Sequence, residues 1–127
     1  MRVETIAYIN NALKENGIAY AFGEWSTSPI PYPYFVGEFT EEPNPDEDGL
    51  TNNSFIITGT GKDSWLELME IKEKIEELFP SVGGCVKQLD NNLCVAIYFE
   101  NAFNVPTDTM DLKRIQINLR VKEWRAN

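Results

Sequence analysis

The chain has no histidine, only two cysteines, and no apolar run approaching the length of a membrane span. It is also poor in bases, with 11 Lys and Arg against 20 Asp and Glu, for a net charge of -9. Each shortage excludes something. Without histidine there is no Ser–His or Cys–His nucleophile pair, and the commonest general base and metal ligand are missing. Carboxylate chemistry stays open, yet no pair of acids stands out. A net acidic chain argues against binding nucleic acid or an anionic membrane, since both need a basic footprint. A helical span needs roughly 20 apolar residues. Met1-Arg2-Val3-Glu4 leads into a polar, amphipathic stretch rather than a signal peptide. With so few cysteines, a cytoplasmic protein is the simplest expectation. What is present suits a packed core: 43% of residues are hydrophobic and 12% aromatic. At 127 residues, one domain covering 1–127 is expected.

The organising stretch runs from Asn52 to Phe79. Phe55-Ile56-Ile57-Thr58 reads as a strand, Gly59-Thr60-Gly61 as a tight turn, and Ser64 to Phe79 as a helix. Ser64 and Glu67 have the spacing of a capping box. Leu68, Ile71, Ile75 and Leu78 form an apolar stripe that Trp65 and Phe79 extend, and the glutamates fall on the remaining, solvated surface. Upstream, Val3 to Asn16 reads as a first helix closed by Gly17. Ile18 to Trp25 reads as a short strand, and Tyr32 to Thr40 as another that Pro33 starts at an edge or outside the ladder. Glu41 to Asn53 is the clearest loop; Glu38 to Asp48 carries six acids and no base. Downstream, Cys85 to Leu89 and Leu93 to Phe99 form a hairpin, and Asn101 to Thr109 reads as a loop. The last strand is the plainest: Ile115, Ile117, Leu119 and Val121 alternate with Arg114, Gln116, Asn118, Arg120 and Lys122. The expected architecture is α+β, a two-layer sandwich with a mainly antiparallel sheet of four to six strands and two helices on one face.

Two tempting motifs fail. Were Asp46 first in a calcium loop, Thr51 would hold the glycine position and Ile57 the glutamate position. Gly59-Thr60-Gly61-Lys62-Asp63-Ser64 lacks both the upstream glycine, where Ile56 stands, and the Ser or Thr after Lys. Cys85 and Cys94 lie on opposite hairpin arms with an offset of roughly 10 Å or more at strand rise, beyond disulfide reach. No catalytic residue, metal or cofactor is expected.

The aromatics remain. Tyr20, Phe22, Trp25, Tyr32, Tyr34, Phe35 and Phe39 crowd into one stretch, and Trp124 follows the last strand. A small domain buries only part of such a set, which points to a protein interface. The layout of short helix, Tyr20-Ala21-Phe22-Gly23-Glu24 strand, Pro31-Tyr32-Pro33-Tyr34-Phe35-Val36 strand, long loop, strand–helix unit and closing hairpin resembles the tail-terminator and tail-completion proteins of long-tailed bacteriophages and prophages. The resemblance implies a small non-enzymatic α+β protein that assembles as a ring, a hexamer in the finished tail. Such a ring caps the tail tube and meets the head connector. The expected partners are therefore a second copy, a tail-tube protein and a connector protein. The expected location is the host cytoplasm during assembly, then the virion tail or neck. Trp25, Tyr32, Tyr34, Arg114, Arg120, Lys122 and Trp124 are the candidate interface residues. The competing reading is a small non-enzymatic binding or regulatory module of a bacterial operon.

Overall fold

The computed structural model describes residues 1–41 and 50–125. Helix α1 spans Val3–Glu15, followed by strands β1 (Tyr20–Phe22), β2 (Tyr34–Glu41) and β3 (Leu50–Lys62). Helix α2 spans Leu66–Leu78, and strands β4 (Cys85–Asp90), β5 (Leu93–Val105) and β6 (Leu112–Arg125) complete the chain. The six strands form one mixed sheet in the order β1-β2-β3-β6-β5-β4, curled like half a barrel. β1 runs parallel to β2, with Tyr20 opposite Phe35, while the other four pairings are antiparallel. The class is α+β, as expected.

The alternation of β6 places Ile115, Ile117, Leu119 and Val121 in the core. Its long pairings with β3 and β5 put Leu119 between Phe55 and Phe99. Ile9 and Leu13 of α1, with Leu68 and Ile75 of α2, join these residues in one hydrophobic cluster. Tyr20, Phe35, Ile57, Phe79, Val95 and Ile97 complete most of it. Ile71 was expected in the core but is only partly buried, packed against the cluster's edge. Trp65 is exposed, so the helix stripe is narrower than its spacing implied.

Several boundaries differ from expectation, for physical reasons. Gly59-Thr60-Gly61 is not a turn but part of the last third of β3, opposite Ile115, Arg114 and Lys113. Gly59 leaves room for the Phe35 ring, and a Cβ on Gly61 would sit 2.9 Å from Cγ of Leu68. These are strand glycines placed for close approach, the reading of strand Gly that competes with a turn. The reversal falls later, at Asp63 with φ 65, whose N–H bonds the carbonyl of Asp111 at 2.7 Å. The expected capping box does not form: Trp65, not Ser64, occupies the N-cap, and Ser64 Oγ instead accepts the Leu66 N–H at 3.1 Å in a local turn. The expected loop from Asn101 onward is strand as far as Val105, because a bulge at Glu100 shifts the register and breaks the alternation. The Ile18–Trp25 strand shrinks to three residues. Of the expected loop from Glu41 to Asn53, Glu41 ends β2 and Leu50 to Asn53 open β3, held there by pairing with Trp124 to Val121 of β6; residues 42–49 lie outside the described residues. As expected, Pro33 stands just before the ladder.

Candidate functional site

Pleating sends alternate side chains of β2, β3 and β6 away from the core, onto an outer sheet face. Cross-strand register sets the rows on that face. Tyr34, Thr60, Arg114 and Val105 share one row, and Thr40, Ser54, Arg120 and Tyr98 another. Nearer the other end, Lys122 lies between Asn52 and Ala96, and Trp124 between Leu50 and Cys94.

The candidate residues therefore form two groups rather than one patch. Trp25, Tyr32 and Tyr34 come together, with ring centroids 5.6 Å apart for Trp25–Tyr34 and 5.8 Å for Tyr32–Tyr34. The Lys62 ammonium lies 5.8 Å from the Tyr32 ring centroid. Arg114 adjoins this group and donates from Nε to Thr60 Oγ1 at 3.3 Å. The second group is Arg120 and Lys122. Arg120 pairs with Glu100 at 2.8 Å, and Lys122 lies 5.6 Å from the Tyr98 ring centroid. With Ser81 and Phe99 these residues line a shallow cleft of about 250 Å³. Trp124 follows Lys122 on the same face and is remote from the first group; at a strand rise of roughly 3.3 Å per residue it is roughly 33 Å along β6 from Arg114.

The basic face of β6 is thus partly neutralised within the chain. The opposing charge sits elsewhere: Glu67, Glu70, Glu73 and Glu77 are exposed on α2, while Glu76 pairs with Lys72 at 2.5 Å. Near the N-terminal end of α2, Leu66 is 67% exposed, Met69 37% and Trp65 37%, and Met110 in the β5–β6 connection is 94% exposed. Of these, the sequence places Trp65 on the buried helix stripe, which its exposure contradicts, and gives no periodic signal for Leu66, Met69 and Met110.

One buried polar cluster also escaped the sequence reading. Glu123 is 3% exposed, one residue beyond the expected end of the last strand. Its Oε2 accepts the Thr5 hydroxyl at 2.5 Å and the Arg2 N–H at 3.0 Å, and its Oε1 accepts the Asn53 amide at 2.9 Å. These neutral donors hold the first turn of α1 onto the sheet. Burial also pushes up the Tyr20 phenol, which donates to Asn10 Oδ1 at 2.6 Å. Burial, then contact with Cys85, pushes Tyr8 up to about 12. Both thiols are free, with Cys94 opposite Gln88 and Cys85 opposite Ile97.

Among the described residues, no group of three or more His, Cys, Asp and Glu could hold a metal ion, and no helix is long and apolar enough to cross a membrane. Compared with known proteins, the chain matches no protein-family model and no curated protein.

Proposed function

We propose that this chain is a structural assembly protein of the tail-terminator kind, which meets copies of itself head to tail in a ring. That ring would cap a phage tail tube and present a surface to the head connector in the virion tail or neck. The observation that carries the reading is the segregation of charge. Arg114, Arg120 and Lys122 share the outer face of β6, while four exposed glutamates line α2. Two unlike patches that attract one another give heterologous contacts, and these close into rings when the rotation permits. The Trp25, Tyr32 and Tyr34 cluster supplies aromatic anchors beside Arg114, the residue types that dominate interface energetics. In this reading the helices and the curled sheet act as a rigid two-layer body with no enzymatic role, and a net charge of -9 keeps DNA from adhering as it passes. The exposed Leu66, Met69 and Met110 favour a second reading, a small binding module that docks a partner there.

Light scattering across protein concentration and salt tests the first reading, followed by mixing with polymerising tail-tube protein. The expected result is a concentration-dependent oligomer that shortens or caps tubes. A monomer at every concentration that leaves tube length unaltered overturns it. Arg114→Glu is expected to weaken assembly without unfolding the chain.

A further inference from the structure

We infer that neighbouring copies join by extending the sheet: β4 of one copy pairs in parallel with the second half of β2 of the next. The inference rests on the self-association proposed above and names its contact.

The sheet has two open margins. At one, β1 covers only Phe35–Gly37 of β2. Gly23, with φ +85, then turns the chain away while its N–H bonds the Gly37 carbonyl at 2.8 Å. Glu38–Glu41 therefore pair with β3 on one side and, among the described residues, with no strand on the other. At the other margin β4 pairs, among the described residues, with β5 alone, and Val86, Lys87, Gln88 and Asp90 are exposed. Such edges offer unpaired N–H and C=O groups to another chain unless Pro, charge or a cover blunts them. Neither stretch contains proline, and Lys87 is the only base in either.

Direction and register both fit. The antiparallel pairings from β2 through β3, β6 and β5 to β4 leave β2 and β4 running the same way. A rotation that carries one copy to the next therefore brings these edges together in parallel, and repeating it closes a ring. Residues opposite one another must share a sheet face. Phe39 and Glu41 lie on the core side of β2, in the rows of Phe55 and Asn53, while Cys85 and Lys87 lie on the core side of β4, opposite Ile97 and Val95. The matching register sets Phe39 against Cys85, Thr40 against Val86 and Glu41 against Lys87. It places the Glu41 carboxylate, which also meets the Met1 ammonium, beside Lys87, which makes no ion pair among the described residues. It also sets Phe39, 40% exposed, beside Cys85 on the core side, and Val86, 57% exposed, beside Thr40 on the outer side. A shift by two residues sets Phe39 against Lys87 and loses the charge pair.

Hydrogen–deuterium exchange on the full chain, below and above its assembly concentration, tests the contact. Amides within Glu38–Glu41 and Cys85–Asp90 are expected to slow together on assembly. Lys87→Glu should raise the concentration needed for assembly several-fold with an unchanged circular dichroism spectrum, and Glu41→Lys in that background should restore assembly. A ring that forms with both stretches exchanging as in the monomer overturns the edge pairing and leaves the ring reading standing. A species that stops at the dimer with only β4 protected shows like-edge pairing and also overturns it. If no assembly occurs at any concentration or salt, alone or beside tube protein, both readings fall.

Discussion

At the scale of single residues, Glu123 shows how a buried charge is tolerated. Taking a carboxylate out of water is costly unless donors replace its hydration. Here a backbone N–H, a hydroxyl and an amide do so. Truncating it leaves the Thr5 and Asn53 donors buried without partners, so Glu123→Ala is expected to cost about 3 kcal/mol and Thr5→Val about 1 kcal/mol, read by urea unfolding. A neutral Glu123→Ala would show that the brace adds nothing to stability. This site was illegible in the sequence, because its partners lie 118 and 70 residues away and a strand glutamate ordinarily faces solvent. The tyrosines give a pH signature. Both phenols titrate higher folded than unfolded, so their contribution is fully present below the ordinary tyrosine value of about 10 and is lost as pH rises beyond it. Stability should therefore fall steeply above roughly pH 10, and Tyr20→Phe should flatten that fall in unfolding curves taken along a pH series.

At the scale of elements, legibility followed the regularity of the pattern. β6 was readable because its alternation runs unbroken from Arg114 to Lys122, and α2 because its apolar residues keep a helical spacing. β3 was misread at Gly59 and Gly61, since a glycine placed for a neighbouring ring looks, in sequence, like a glycine placed for a turn. β5 was cut short because the Glu100 bulge inverts which residues face the core. The same packing separates three substitutions by their expected cost. Leu68 is fully buried beneath Gly61, so Leu68→Ala should cost about 2 to 5 kcal/mol. Ile71→Ala should cost less, because part of that side chain already meets water. Gly59→Ala adds a methyl group against the Phe35 ring and should cost about 1 to 3 kcal/mol. Thermal and urea denaturation of the three variants gives the ranking. An innocuous Gly59→Ala would mean that the ring can move and that the glycine serves something other than packing.

At the scale of the whole molecule, charge acts in two opposite senses. A net charge of -9 repels itself, and concentrating glutamates on α2 sharpens that repulsion within one copy. Between copies, charge would act through attraction of the β6 bases for those acids and, at the proposed edge contact, through Glu41 against Lys87. Salt distinguishes the two effects. From about 0.01 M to about 1 M the Debye length falls from about 30 Å to about 3 Å, which screens exposed charges at nearly all separations. The melting temperature of the dilute protein should therefore rise with salt, as self-repulsion within each copy fades. The concentration needed for assembly should rise as well, because attraction between unlike patches fades with it. How steeply it rises measures the division of the contact. Main-chain pairing along β4 and β2 is short-ranged and largely indifferent to salt, whereas the Glu41–Lys87 pair and the β6–α2 attraction are not. A shallow salt dependence that Lys87→Glu leaves unchanged would assign the contact to backbone pairing alone. A steep dependence abolished by Arg114→Glu would assign it to the outer face of β6.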